Sequence, residues 1–232
     1  MIEVKNLYFK YEEDYILRNI NLKINENSFT AIIGANGCGK TTLAKHFNAL
    51  LLPAKGDVFI DKIDTKNDEL NARKKVGFVF QNFEDQLVYS IVEEDIAFGL
   101  ENLELNKNEI NNIVEETLNK LKINHLIKNN INMLSQGQKQ LVALAGVLAM
   151  KPRYIVFDEP TTNLDNKNKK NIMNLIKDLN KRDKITTILI TNALDDLKYV
   201  DYVVALKDGS IIFNDTKPKL NNKILKKADI ND

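Results

Sequence analysis

The sequence is poor in several residue types, and each scarcity excludes a class of protein. Its 232 residues include one cysteine and no tryptophan. The single cysteine, Cys38, cannot form an internal disulfide, so the chain is not a disulfide-stabilised secreted scaffold and fits a reducing cytosol. A chain of this length buries roughly 70% or more of its unfolded surface, so its core needs neither disulfides nor a structural metal.

Long apolar runs and an excess of one charge are also missing. The longest uninterrupted apolar segment covers residues 141–150, whereas a membrane-spanning helix needs about 20 such residues. Residues 1–5 lack the basic start and apolar stretch of a signal peptide, and we therefore expect a soluble protein. The 33 Lys and Arg residues nearly balance the 32 Asp and Glu residues. This balance argues against binding through a large cationic surface, so no nucleic-acid partner is expected.

What is present is an alternation of strand-like and helix-like segments. Apolar patterns predict strands at 2–7, 20–24, 29–33, 58–60, 76–80, 154–157 and 186–190, with a hairpin formed by 202–206 and 210–213. Helical patterns cover 40–51, 91–121, the segment after Ser135 and 166–182. The alternation predicts an α/β fold with a largely parallel sheet. The helical block at about 85–150 is interpreted as an insertion, and the last dozen or so residues as loose.

A glycine-rich segment between a predicted strand and a predicted helix matches the phosphate-binding loop pattern. It consists of Gly34, Ala35, Asn36, Gly37, Cys38, Gly39, Lys40 and Thr41. The glycines let the backbone curl so that several N–H groups converge on one anion, and the helix that follows adds its positive end. Lys40 supplies a cation for the β- and γ-phosphates, and Thr41 offers a hydroxyl to Mg²⁺. The sequence therefore predicts a nucleoside triphosphate site.

An acidic pair follows the apolar segment 154–157. A carboxylate at the carboxyl end of a parallel strand lies at the ligand crevice of an open α/β sheet. Asp158 is placed there to hold Mg²⁺, directly or through water. Glu159 is then the candidate general base for the attacking water.

In this order, these and further segments resemble the nucleotide-binding subunit of ABC transporters. The resemblance implies a P-loop NTPase fold with a RecA-like parallel-sheet core, an N-terminal antiparallel β part and an inserted α-helical subdomain, within one ABC ATPase domain spanning 1–232. It also implies ATP and Mg²⁺ as cofactors. Besides the residues above, the positions that it assigns to nucleotide, metal or water are Tyr11 (stacking on adenine), Thr42, Gln81 (linking Mg²⁺ and water to the helical part), the signature residues Ser135, Gly137 and Gln138, and Asp165 in the 163–165 loop that crosses to a partner subunit.

Three segments, 81–86, 92–99 and 137–149, carry a narrower resemblance to the ATPases of energy-coupling factor importers, which take up cobalt, nickel or vitamins. The implied partners are a second ABC ATPase subunit, as a homodimer or heterodimer, and membrane scaffold and substrate-binding proteins. The implied location is the cytoplasmic face of the cell membrane. Other ABC importers remain an alternative. The alternative interpretation of the acidic residues 93–95 is a solvated helix start, since acidic residues favour that end of a helix.

Three positions depart from the family pattern. Gln136 replaces the first glycine of the signature, and Leu141 replaces a common arginine. Asn192 stands where the family has a histidine that contacts the γ-phosphate, and an asparagine can donate a hydrogen bond but cannot become cationic or shuttle a proton. The two histidines, His46 and His125, are expected to be surface or packing residues.

The departures lead to the hypothesis of slow ATP hydrolysis, with Asn192 still among the catalytic positions. In a homodimer both sites would carry the changes, whereas a standard partner in a heterodimer could keep one site intact. The alternatives are a low-turnover nucleotide-binding partner subunit and a soluble non-transport ABC ATPase. The segment between Thr41 and Ser135 is too short for the coiled coil of chromosome-maintenance types, and translation types usually carry two cassettes.

Cys38 occupies a loop position where serine is common. One interpretation is a serine substitute whose backbone N–H binds phosphate. The other is a reactive thiol, because Lys40 and the helix start could lower its pKa.

Overall fold

A computed structural model describes residues 1–103, 105–162 and 164–230. The chain forms two compact units, one made of Met1–Val76 with the described residues from Arg153 on, and the other of Gly77–Pro152. The strands, in chain order, are β1 (Ile2–Lys10), β2 (Tyr15–Ile24), β3 (Phe29–Ile33), β4 (Lys55–Ile60), β5 (Ile63–Asp64), β6 (Val76–Val79), β7 (Tyr154–Asp158), β8 (Thr186–Ile190), β9 (Tyr202–Lys207) and β10 (Ser210–Thr216). The helices are α1 (Lys40–Lys45), α2 (Glu69–Lys75), α3 (Val92–Glu101), α4 (Lys107–Lys120), α5 (Gln136–Ala149), α6 (Asn166–Lys181) and α7 (Asn222–Lys227). None of the described helices is both long and apolar enough to cross a membrane.

An antiparallel sheet in the first unit has the strand order β2-β1-β4-β5. Strand β1 alternates as its sequence pattern predicts, but a bulge after Val4 changes the register so that Leu7 is buried. Asn6 takes a positive φ of 47° at this bulge. A Cβ on Gly56 of β4 would lie 2.1 Å from the Asn6 carbonyl oxygen, so only glycine fits against the bulge.

A second sheet in the first unit brings the candidate site together. Five of its strands lie in the order β10-β9-β3-β8-β7. Strands β9, β3, β8 and β7 are parallel, and β10 is antiparallel to β9. Every residue of β3, β7 and β8 is buried, which explains why their sequences are largely apolar. The carboxyl ends of these three strands therefore meet at one edge, at Ile33, Asp158 and Ile190.

The second unit consists of three main helices and the end of β6. Helices α3 and α4 both pack on α5. The segment 91–121, predicted to be helical, contains two helices, because a capping box begins a new helix, α4, at Lys107. In that box Asn106 accepts a hydrogen bond from the Glu109 N–H, and the Glu109 carboxylate accepts one from the Asn106 N–H.

Other sequence expectations are wrong at element ends. The helix expected at 40–51 ends at Lys45, because the Leu50 N–H bonds back to the Lys45 carbonyl and Ala49 takes a positive φ of 55°. The last dozen residues are not loose throughout, since α7 forms there and Asn221 caps its first turn. Helix α2 and strand β5 have no counterpart in the sequence prediction.

Candidate functional site

The glycine-rich loop between β3 and α1 is curled, and its glycines are needed for that shape. Gly34, Gly37 and Gly39 have φ values of 150°, 78° and 103°. A Cβ on Gly34 would lie 2.3 Å from the Leu206 carbonyl oxygen, and one on Gly39 would lie 2.9 Å from Leu17 Cδ2. The loop is thus pressed against the strands beneath it, and larger residues at these two positions would push it out of place.

The Lys40 side chain follows the inside of this loop. The residue is buried, and its Nζ donates to the Gly34 carbonyl at 2.8 Å and to the Ala35 carbonyl at 3.0 Å. An ammonium group has three N–H donors, so two loop carbonyls do not exhaust it. The structure therefore holds a positive charge within the curve of the loop.

Thr41 and Asp158 join the start of α1 to the end of β7. The Thr41 Oγ1 donates to the Asp158 carboxylate, at 2.9 Å from Oδ2 and 3.1 Å from Oδ1. Asp158 is only 3% exposed, and burial raises its pKa, although the hydrogen bond from Thr41 opposes the rise. A hydroxyl and a carboxylate so placed are the hard oxygen ligands that Mg²⁺ prefers.

Glu159 is held in a strained conformation directly after β7. Its φ is 47°, in the left-handed region that a residue with a side chain rarely adopts. The conformation is secured by the Glu159 N–H, which donates to the Ile190 carbonyl of β8 at 3.0 Å. The Glu159 carboxylate accepts from Thr162 Oγ1 at 3.2 Å and from Asn192 Nδ2 at 3.4 Å. Strain of this kind clusters at functional sites.

Asn192 connects Glu159 to the glycine-rich loop. Its Nδ2 donates to Asn36 Oδ1 at 2.6 Å as well as to the Glu159 carboxylate. Because a carboxylate can only accept, the Nδ2 of Asn192 must face Glu159, and this in turn makes Asn36 present its oxygen to Asn192. The structure therefore brings together the loop, the acidic pair and the position where the family has histidine.

Tyr11 also lies beside this loop. The residue is 59% exposed, and its hydroxyl lies 3.4 Å from Thr42 Oγ1. Phe9 supports the Tyr11 ring edge-on, with centroids 4.9 Å apart, and makes a second edge-on contact with His46, at 4.7 Å. An exposed, supported ring next to the loop is available for stacking on a ligand.

His46 is a packing residue, one of the two roles expected for it. It is fully buried, and burial lowers its pKa to about 4. The ring is therefore neutral near pH 7, and its Nδ1–H donates to the Thr42 carbonyl at 2.8 Å.

Cys38 does not have the low pKa that a reactive thiol requires. Burial raises its pKa, and the nearby Lys40 only partly opposes this. The interpretation as a reactive thiol is therefore disfavoured, and the interpretation as a serine substitute is favoured. The Cys38 carbonyl accepts from the Gly209 N–H at 3.2 Å, so the β9–β10 turn braces the loop. The sequence analysis predicted that hairpin but not its contact with the loop.

Four of the predicted site residues, Gln81, Ser135, Gly137 and Gln138, belong to the second unit. Gln81 follows β6, in the segment after Val79. Ser135 and Gln138 form the capping box of α5, with Ser135 Oγ accepting from the Gln138 N–H at 3.4 Å and Gln138 Oε1 accepting from the Ser135 N–H at 3.0 Å. A Cβ on Gly137 would meet no atom within 4 Å, so no described residue of this chain requires glycine there.

Asp165 has a structural role that its place in the sequence did not predict. It caps α6, accepting from the Asn168 N–H at 2.9 Å and from Asn168 Nδ2 at 2.7 Å. The backbone hydrogen bond from Asn168 lowers the pKa of Asp165. Asn163, the first residue of the predicted crossing loop, lies outside the described residues.

Comparisons with known proteins agree on one family. The family model described as ABC transporter matches residues 17–162. The energy-coupling factor transporter ATP-binding protein EcfA1 of Clostridium novyi (strain NT) is 43% identical, over 97% of this chain and 82% of that protein. The structure of cbiO1 from Clostridium perfringens, described as part of the ABC transporter complex cbiONQ, matches with a TM-score of 0.87 and 33% identity over 98% of this chain and 94% of that chain. The cassette MJ0796, in a dimeric post-hydrolysis state bound to ADP and Pi, matches with a TM-score of 0.82 and 32% identity over 93% of this chain and 98% of that chain.

Proposed function

The chain belongs to the ABC transporter family, and we propose that it is the ATP-binding and ATP-hydrolysing subunit of an importer of the energy-coupling factor type. The predicted fold class is confirmed by the solved cassettes that it matches. The importer type is supported by the likeness to EcfA1, which extends over 97% of the chain. One observation carries the chemistry: the hydrogen bonds of Thr41 to Asp158 place the loop and the acidic pair at one sheet edge.

ATP would bind along the glycine-rich loop. The loop N–H groups and Lys40 complement the phosphate charge, and the Thr42 segment continues this surface towards Tyr11. Tyr11, exposed and supported by Phe9, would stack on the adenine.

Thr41 and Asp158 fit a magnesium ion. Both present oxygen ligands, and these already lie within hydrogen-bonding distance of each other. Gln81 is the third proposed ligand, following the family resemblance. Bound Mg²⁺ would neutralise the charge on the β- and γ-phosphates.

Glu159 is the proposed general base. Its carboxylate would accept a proton from the water that attacks the γ-phosphate. Thr162 and Asn192 hold that carboxylate in place. Asn192 also donates to Asn36 of the loop, so the base and the loop are held together.

The complete site would need a second ATPase subunit, either another copy of this chain or a different one. Ser135, Gly137 and Gln138 of one subunit would contact the nucleotide held by the other. The open space around Gly137 supports this, because a nucleotide could approach the backbone there without a steric obstacle. Asp165, after capping α6, would contribute to the crossing segment.

The second unit offers an exposed apolar surface for a membrane scaffold. Val88, Tyr89 and Phe98 are 63%, 43% and 42% exposed, and the two rings lie 5.7 Å apart. The Asp95 carboxylate accepts from the N–H groups of Val88 and Tyr89 at 2.6 and 2.9 Å, so this segment is fixed. Asp95 thus does more than start a solvated helix. Contact with a scaffold through this surface would place the chain at the cytoplasmic face of the membrane.

Purification from detergent-extracted membranes tests the proposal. The wild-type chain should be recovered with a second ATPase subunit and a multi-span membrane protein, both identified by mass spectrometry. The double variant Tyr89→Ser, Phe98→Ser should lose the membrane protein and keep ATP binding. The control Leu70→Ser replaces an apolar residue of the first unit that is 65% exposed. It should keep both the membrane protein and ATP binding. Recovery of the wild type with soluble partners alone would contradict the importer proposal.

A second candidate function is a nucleotide-binding subunit of low turnover within the same kind of importer. Asn192 is the observation that favours it, because its amide cannot transfer a proton. Glu159→Gln distinguishes the two: it should abolish hydrolysis if this chain turns over ATP, and change nothing measurable if a partner performs all the turnover.

A further inference from the structure

A buried carboxylate, Asp196, is hydrogen-bonded to residues that neighbour Glu159 and Asn192 in the chain. Asp196 belongs to the short 3-10 helix Leu194–Tyr199 and is 6% exposed. Its Oδ2 accepts from Thr161 Oγ1 at 3.0 Å and from Thr191 Oγ1 at 2.9 Å. Both threonines are buried as well. A carboxylate in such a place carries a desolvation cost that an apolar side chain would avoid.

The two threonines belong to the two loops that carry the reacting groups. Thr161 lies two residues after Glu159, and Thr191 directly precedes Asn192. Asp196 is therefore hydrogen-bonded to both loops, and the same two loops also meet through the contact of Asn192 Nδ2 with the Glu159 carboxylate at 3.4 Å.

The hydrogen bonds have a fixed direction. The Ala193 N–H donates to Thr191 Oγ1 at 3.0 Å, and the Asp196 N–H donates to the Ala193 carbonyl at 3.1 Å. Because a hydroxyl has one proton, Thr191 must accept from Ala193 and donate to Asp196. Loss of the carboxylate would leave the buried hydroxyls of Thr161 and Thr191 without this acceptor.

We infer that Asp196 is a positioning residue for ATP hydrolysis: it ties the Glu159 loop to the Asn192 loop and so sets the distance between the carboxylate and the amide. This inference deepens the proposed function and rests on it, since Glu159 and Asn192 act on ATP only if that function is right. A small displacement of a catalytic group has a large effect on rate, and misplacement by about 1 Å can cost about 100-fold.

The test compares four variants of the full chain. Asp196→Ala removes the acceptor. Asp196→Asn keeps it, because both hydroxyls donate to the same oxygen and an amide oxygen can take its place. Asp195→Ala is the matched control, since the neighbouring Asp195 is exposed. Thr191→Val removes one donor with little change in shape and serves if Asp196→Ala does not fold.

We expect Asp196→Ala to lower kcat by about 10-fold to 100-fold, with the Kd for ATP changed by less than about 3-fold. Thr191→Val should lower kcat in the same direction. Asp196→Asn and Asp195→Ala should retain kcat within about 3-fold of the wild type. A purely structural role predicts lower stability and an unchanged kcat in the folded molecules, so the inference is overturned if Asp196→Ala binds ATP normally and keeps its kcat. It is also overturned if kcat falls as far in Asp196→Asn as in Asp196→Ala, because the amide oxygen should replace the acceptor.

A second readout separates failure of the inference from failure of the proposed function. Amide hydrogen exchange without nucleotide needs no ATPase activity. Asp196→Ala should speed exchange at Thr162, whose N–H bonds to the Glu159 carbonyl, and at Ala193. If amide exchange at Thr162 and Ala193 is the same in Asp196→Ala as in the wild type, Asp196 does not hold the two loops together. A wild type that neither binds nor hydrolyses ATP, with faster exchange in Asp196→Ala, refutes the proposed function and keeps the tie.

Discussion

Replacement of Asn192 by histidine should raise the rate of ATP hydrolysis. The Asn192 amide has two N–H donors, and both face groups of its own chain: Asn36 at 2.6 Å and Glu159 at 3.4 Å. A preorganised donor aimed at the charge of a transition state is worth about 10² to 10³ in kcat. The contact with Glu159 is long, so that N–H could also be shared with a phosphate bound beside it, without movement of the amide that Asn36 fixes. On the proposed function Asn192 would supply part of this effect already, and we expect Asn192→His to raise kcat by about 10-fold.

Steady-state phosphate release by the purified full chain measures this effect, with KM determined alongside. The gain should appear in kcat and leave KM within about 3-fold, because the donor acts on charge that develops in the transition state. The rate of Asn192→His should also acquire a dependence on pH near the imidazole pKa of about 6.5. Ala193→His is the control, since Ala193 is the exposed neighbour of Asn192. An unchanged kcat in Asn192→His, or an equal rise in Ala193→His, would refute the reasoning.

Three further predictions concern stability and reactivity. Burial lowers the pKa of the neutral His46 to about 4 from an ordinary 6.5, so its contribution to the unfolding free energy is fully present above pH 6.5 and falls by up to about 3 kcal/mol as the pH drops to 4. Denaturant titrations at several pH values should show a smaller loss of unfolding free energy in His46→Gln, and an equal loss in both proteins would contradict this. Gly209→Ala places a Cβ 2.1 Å from the Ile16 carbonyl oxygen at a φ of 74°, and should cost at least about 2 kcal/mol of unfolding free energy. Gly146→Ala places a Cβ with no atom within 4 Å, and should be neutral or stabilising by up to about 1 kcal/mol. Equal effects of the two variants would count against the steric argument. Burial and a raised pKa should make Cys38 react with N-ethylmaleimide more slowly than glutathione does; a faster reaction that excess ATP blocks would restore the reactive-thiol interpretation.

Features whose chemistry lies in contiguous residues could be predicted from the sequence. The predicted strands 29–33 and 186–190 coincide with β3 and β8, because strands buried on both faces need continuous apolar sequences. Element ends were harder to predict. Helix α1 ends at Lys45 through backbone bonds and a positive φ at Ala49 that no side-chain pattern announces. Helix α7 was missed because a short, lysine-rich segment has no strong apolar period.

Contacts between distant residues could not be predicted in this way. Asn36 and Asn192 are 156 positions apart, and Thr161 and Asp196 are 35 apart, so local spacing carries no information about either hydrogen bond. Asp196 follows another aspartate in a polar segment, and from sequence alone the pair is typical of a solvated helix start. Its buried position depends on the pairing of β8 with β7, which brings Thr191 and Thr161 close to the same carboxylate.

Residue types and their spacing along the chain were enough to predict the candidate chemistry: a glycine-rich loop with a lysine and a hydroxyl, an acidic pair after an apolar strand, and an asparagine where the family has histidine. These features depend on residue type and local spacing, both of which can be read directly from the sequence. The contacts between these groups follow from the folded chain: Asn192 joins Glu159 to Asn36, Cys38 is buried, and Asp196 accepts hydrogen bonds from threonines of two loops. The physical reason is the parallel sheet, because it brings the carboxyl ends of its strands to one edge however far apart they lie in the chain.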